Sequence, residues 1–201
     1  MKKRFLSVFM VLCMMLTMVP SAFAEGADGD TLQNKINQAS ENATITLDKA
    51  YTESITIPEG KTITLDLNGQ TLINEEGKHT ITNEGTLTIV GTGTVDNVSH
   101  GKGAVYNDAG ATCTILGGNS WYAIKNFGTM TIGEEGAPND AVKVSFTGKY
   151  SSLVANGWQD GAAAGQPNKE PAYERDAQLT IHSGTFTGGI NTIKNDDNGI
   201  A

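Results

Sequence analysis

Beyond residue 24 the chain holds a single cysteine, Cys113, so that part has no internal disulfide to staple it. Aromatic residues make up only 6% of the chain. Leucines are sparse past the first segment as well, and together these shortages argue against helix bundles and coiled coils. Bases are scarce too: all 22 acids but only 11 of the 14 bases follow residue 24, leaving that part with a formal charge of −11. Neither a nucleic acid nor an anionic membrane suits such a surface. No apolar run after residue 24 is long enough to span a bilayer. His79, His100 and His182 stand far apart and read as surface turn residues, so no Cys/His cluster exists to hold zinc.

What is abundant points elsewhere. After residue 24 the chain contains 24 Gly, 23 Thr and 16 Asn, about a third of that part. Ile, Val and Leu recur among them in short regular runs that can form a core, which excludes disorder. The length suits one domain.

The first residues read MKKRFLSVFMVLCMMLTMVPSAFA: a basic start, an apolar run from Phe5 to Val19, and Ala22 and Ala24 flanking Phe23. This layout predicts a secretory signal, residues 1–24, cleaved after Ala24, and a secreted or cell-surface product. Cys13 lies inside that leader and lacks the small preceding residues of a lipid attachment box. Cys113 sits in the apolar pattern of ATCTIL and is expected to act as a buried small hydrophobe.

Four segments share one pattern: TITNEGTLTI (Thr80 to Ile89), AVYNDAGATCTI (Ala104 to Ile115), AIKNFGTMTI (Ala123 to Ile132) and TIKNDDNGIA (Thr192 to Ala201). Each offers a short strand, an Asn and a turn, and all but the last run on into a second strand. Ile89, Ile115 and Ile132 recur at comparable intervals, and Ile181 follows after a longer gap, read here as two such steps. Upstream, ATITL and KTITL place Leu47 and Leu65 one interval apart, and Leu65 to Ile89 is another. Periods around the twenties, built from strands and Gly/Asn turns, predict a solenoid. Leucine-rich repeats would need a leucine scaffold, and propeller blades four strands over a longer period.

Alternation assigns the two sides of each strand. In TLTI, TCTI and TMTI, residues Leu87, Cys113 and Met130 share one parity with the closing isoleucines, and the threonines take the other. Stacked coils would pair these strands in parallel, about 4.8 Å apart. Asn83, Asn107, Asn126 and Asn195 then fall at one corner of successive coils, either as a hydrogen-bonded ladder or simply as turn residues. In DTLQNKINQASEN, Asp30 is the expected N-cap and Leu32, Ile36 and Ala39 the apolar stripe of a short helix within residues 25–43, capping the open end. Residues 44–201 would form the solenoid. The sequence stops at NDDNGIA, where the repeat would next supply a strand, so either more coils follow or the last coil pairs with a partner.

The run SITIPEGKTITLDLNGQTLINEEG, followed by NEGTLTIVGTG and later LTIHSGTFTGG, resembles the pectin-lyase-like right-handed parallel β-helix superfamily, in particular the adhesin-like surface proteins of bacteria. The likeness covers roughly residues 30 to 201. It implies an all-β right-handed parallel β-helix with three-faced coils, and ligands lying along one face between protruding loops. Members of that superfamily include polysaccharide lyases, glycoside hydrolases, phage tailspikes and non-enzymatic adhesins, so the fold leaves function open.

Catalytic signals are weak against that background. The lyases hold calcium on acidic clusters and use a basic residue; here Arg175 is the one arginine after the leader, and it lies between Glu174 and Asp176, as in a surface ion pair. The hydrolases' NTD motif is absent, and Asp196 and Asp197 match their paired aspartates only loosely. No cofactor is expected, calcium being the one ion the resemblance leaves open. A loop insertion, residues 155–177, breaks the repeat and carries Trp158 and Tyr173. Aromatics on a polar acidic surface suit stacking on sugar rings, and Trp121 and Tyr122 are candidates to add to them, with one of that pair expected to point inward. The other reading of Trp158 and Tyr173 is that they fold the loop back onto the coils. Thr86/Thr88, Thr112/Thr114 and Thr129/Thr131 would form outward ranks similar to those of ice-binding β-helices, although Thr is also the ordinary residue of an exposed strand. Unequal coil lengths and the missing pair at Gln178 to Ile181 weaken that array. The expectation is therefore a secreted or surface module for binding or display, non-catalytic, with a polysaccharide or cell-surface glycan as partner. The alternatives are a polysaccharide lyase or glycoside hydrolase of this superfamily and, third, an ice-binding threonine array.

Overall fold

The computed structural model describes residues 31–99, 101–120, 123–146, 152–157 and 177–195. These form six coils of three strands each: β1 (Ala43–Thr46), β2 (Tyr51–Thr52) and β3 (Ile55–Ile57); β4 (Thr62–Asp66), β5 (Thr71–Ile73) and β6 (Ile81–Asn83); β7 (Thr86–Val90), β8 (Thr94–Asp96) and β9 (Val105–Asn107); β10 (Thr112–Ile115), β11 (Gly118–Ser120) and β12 (Ile124–Asn126); β13 (Thr129–Ile132), β14 (Val142–Phe146) and β15 (Val154–Asn156); β16 (Gln178–Ile181), β17 (Thr185–Gly188) and β18 (Ile193–Asn195). Every third strand pairs in parallel with the next, giving three six-stranded sheets. We call them sheet A (β1 through β16), sheet B (β2 through β17) and sheet C (β3 through β18). The chain is a right-handed parallel β-helix, the hand that parallel crossover connections take almost without exception.

The core follows from the two-residue alternation. On sheet A, Ile45, Leu65, Ile89, Ile115, Ile132 and Ile181 form one inward column, and Ile63, Leu87, Cys113, Met130 and Leu179 a second. Sheet C adds Ile55, Ile81, Val105, Ile124 and Val154. All of these except Ile181 are buried, and a fully buried aliphatic side chain contributes about 1.5–3 kcal/mol. Cys113 is fully enclosed, and burial pushes its thiol up to about 12.

Two spacings differ from the sequence reading. Ile45, not Leu47, stands opposite Leu65; Leu47 lies one pair further on, where the chain leaves the sheet. Ile132 and Ile181 are direct partners, so the whole stretch between them is one coil rather than two. The excess sits in long connections that leave β13, β14 and β15 without disturbing the ladder.

The asparagines form a ladder along one corner, buried at Asn83, Asn107, Asn126 and Asn156 and exposed at Asn195. Nδ2 of Asn83 donates to Oδ1 of Asn107 at 2.7 Å, Asn107 to Asn126 at 2.8 Å, Asn126 to Asn156 at 2.7 Å and Asn156 to Asn195 at 2.7 Å. Asn156 is a rung the repeat alignment overlooked. Spare amide protons reach the carbonyl oxygens of Thr112, Thr129 and Gln178, binding the sheet C corner to sheet A. Close approach at this corner requires glycine: a Cβ on Gly85 would strike the carbonyls of Pro58 and Lys61, and one on Gly128 those of Ala111 and Asp108.

The expected cap is present as α1 (Leu32–Gln38), with Leu32 and Ile36 buried. Its N-cap is Thr31, whose hydroxyl accepts from Asn34 N–H at 3.1 Å; Asp30 lies outside the described residues. The carboxylate of Glu53 also accepts from Leu32 N–H at 2.8 Å and Gln33 N–H at 3.0 Å, two donors that an α-helix leaves orphaned. Tyr51 OH donates to Asp48 Oδ1 at 2.6 Å and accepts from Lys35 Nζ at 2.7 Å, pinning the helix to β2. The bonds from Tyr51 and Lys35 lower the Asp48 carboxyl to about 2. A lowered carboxyl adds stability above its ordinary range, and that contribution disappears as pH falls through about 2. Asp48→Asn should therefore lower the melting temperature at pH 7, and the gap between variant and parent should close at pH 2. A gap unchanged at pH 2 would mean that the carboxylate charge plays no part.

Candidate functional site

With the core facing inward, function falls to the three outer faces. On sheet B, register places Asn119, Lys143 and Thr185 side by side on β11, β14 and β17, with Ser145 beside Thr187 in the next rank. Together with Val144 they line an open cleft of about 290 Å³. The strand VKVSF buries Val142 and Val144, and that alternation turns Lys143 and Ser145 outward. The Thr185 hydroxyl donates to Asn139 O at 2.9 Å, tying the connection before β14 to the rim. No described residue makes a hydrogen bond or ion pair with the side chains of Asn119, Lys143, Ser145 or Thr187. The cleft thus offers an amide, two hydroxyls and an ammonium without protein partners among the described residues.

On sheet C, a row of rings runs along the axis. His79 lies 4.5 Å from Tyr106 and Tyr106 5.3 Å from Phe127, centroid to centroid, with tilted planes. His79 Nδ1 accepts from Gly103 N–H at 2.8 Å, so this histidine ties two coils together instead of standing free in a turn. Beside the row, Lys125 is buried and its Nζ donates to Gly101 O at 2.5 Å. Burial of that stem makes Lys125 part of the wall more than of a binding surface.

On sheet A, Thr44, Thr64, Thr88, Thr114, Thr131 and Thr180 form an unbroken outward rank across all six coils. Thr62, Thr86, Thr112 and Thr129 form a second rank, closed by Gln178. The unequal coil lengths do not interrupt either rank, because the extra residues leave through the corners.

The sequence candidates Trp121, Tyr122, Trp158 and Tyr173 lie outside the described residues, as do Arg175, Asp196 and Asp197. Their neighbours are placed. Ser120 ends β11 one position before Trp121, on the strand that supplies Asn119 to the cleft. The insertion opens later than its expected start at residue 155, because Ala155 and Asn156 belong to β15; it leaves at Gly157, whose N–H donates to Asn126 O at 2.9 Å, and returns at the buried Ala177. Among the described residues, no group of three or more His, Cys, Asp or Glu side chains comes together to hold a metal, and no helix is long and apolar enough to cross a membrane.

Sequence reasoning missed the cleft. Asn119, Lys143 and Thr185 are far apart along the chain, and only the register shows them as neighbours. The outward parity of VKVSF was the available signal. These features define a solenoid with three unlike polar faces. Compared with protein-family models, with curated proteins and with solved structures, the chain matches none.

Proposed function

We propose that the chain is an exported, non-catalytic binding or display module of the pectin-lyase-like superfamily, akin to bacterial adhesin-like proteins and directed at carbohydrate on a polymer or cell surface. The observation that carries this reading is the sheet B cleft. Saccharides are recognised by multiple neutral donors and acceptors in shallow grooves, and the cleft supplies unpartnered amide and hydroxyl groups in such a groove. Among the described residues no carboxylate lines it, so they supply no acid and base pair of the kind glycoside hydrolysis uses. The leader sequence supports export, and Trp121, Tyr122, Trp158 and Tyr173 would add stacking surface to the polar contacts.

A glycan-array screen of the purified chain, run beside Trp158→Ala and a uronate-lyase absorbance assay, tests this. Selective binding without turnover is expected, weakened in Trp158→Ala with its melting temperature unchanged. Product formation without selective binding would replace the module with an enzyme.

The sheet A register favours a second reading. Ten threonines in two ranks, about 4.8 Å apart along the axis, form a flat array of hydroxyls and methyls suited to ordered water. If this face binds ice, the chain shows thermal hysteresis and Thr88→Leu with Thr114→Leu removes it. Unchanged crystal shaping in that double variant would eliminate the reading.

A further inference from the structure

We infer that the sheet B cleft selects an acidic saccharide, one bearing a carboxylate or sulfate that pairs with Lys143. The inference rests on the carbohydrate reading of the cleft and names the class of sugar. Its basis is the contrast between the cleft and the rest of the chain. The sequence carries 22 acids against 14 bases, yet among the described residues Lys143 is the only charged one lining the cleft. Its ammonium is exposed and has no ion-pair partner among the described residues. This lysine faces a concavity lined otherwise by neutral residues.

Position strengthens the point. Asn119 and Thr185 flank Lys143 in register, one coil to either side, about 4.8 Å away along the axis. Ser145 and Thr187 stand in the adjoining rank on the same face. A sugar lying along this face would meet neutral donors and acceptors for its hydroxyls on three sides of one cation. Charge-assisted bonds are roughly twice as strong as neutral ones, so the ammonium would dominate discrimination. The acidic remainder of the chain supplies the complementary filter, because it repels densely charged polyanions and leaves sparsely charged sugars as the fitting class.

The test is an array of saccharides in matched triplets: N-acetyllactosamine with its sialylated and sulfated forms, and cellotetraose with its carboxylated and sulfated forms. The full chain is compared with Lys143→Gln and Lys143→Arg, and melting temperatures verify folding. The parent should bind an acidic member about tenfold or more tightly than its neutral parent sugar, with Lys143→Gln erasing that margin and Lys143→Arg keeping most of it. The carboxylate and sulfate arms report which acid is taken. Neutral and acidic members bound equally, or a margin intact in Lys143→Gln, would overturn the inference and spare the carbohydrate reading. Absence of binding to every triplet would overturn both.

Discussion

Asn126→Ala should cost about 3–6 kcal/mol, because several buried groups lose a partner at about 1–3 kcal/mol each. Asn126 is fully buried at the middle of the ladder. It accepts from Asn107 Nδ2 at 2.8 Å and donates to Asn156 Oδ1 at 2.7 Å, Gln178 O at 2.9 Å and Gly128 O at 3.1 Å. Alanine leaves the Asn156 oxygen and the Gln178 carbonyl without that donor in a site closed to water. Asn126→Asp should be worse at pH 7, since a carboxylate would present an acceptor to the acceptor Oδ1 of Asn156. A carboxyl buried there favours its protonated form, which can donate. Its penalty should therefore shrink as pH falls and grow as pH rises. Asn195→Ala, at an exposed rung, serves as the mild comparison. Urea titrations of the three variants at pH 5 and pH 8 measure these differences. Equal costs at Asn126 and Asn195 would show that the ladder contributes little beyond its turn geometry.

Ile89→Asp should abolish folding. Ile89 is 2% exposed and sits in the inward column between Leu65 and Ile115. Truncating such a side chain costs about 2–5 kcal/mol on its own, and the carboxylate has no partner in that column. The sum is at least about 5 kcal/mol, comparable with the whole stability of many domains. Circular dichroism should show loss of the β signal, while Ile89→Val should lower stability by only about 0.5–1.5 kcal/mol. A folded Ile89→Asp protein with a melting temperature near the parent's would place residue 89 outside the core.

The parts of the fold that a period-two alternation controls were legible in advance. Leu87, Cys113 and Met130 share a parity with their closing isoleucines, and they share a wall of the core. Asn83, Asn107, Asn126 and Asn195 were readable as one corner because each follows a short apolar strand. Asn156 escaped because it borders the insertion, where no second strand follows at the usual distance. The coil from Ile132 to Ile181 was misread for the same reason: a solenoid constrains which residues pair, and the length of chain between pairs is free. The cleft was illegible because its lining comes from three coils separated by connections of unequal length. Thr31 displaced Asp30 as the helix cap, and Glu53, brought in by β2 and β3, is a long-range cap that no local pattern discloses.

The indifference of the sheet ladders to coil length makes the molecule a ruler. The coil from Ile115 to Ile132 is short and the one from Ile132 to Ile181 is long, yet each advances the axis by the same hydrogen-bonded step. Five such steps separate the first rank residue from the last, about 24 Å in all. Loops can therefore lengthen or change at any corner while the groups on the faces keep their distances from one another. What such a scaffold conserves under insertion is metric, so a surface with a matching repeat can be read at several points at once by a chain whose loops are free to vary.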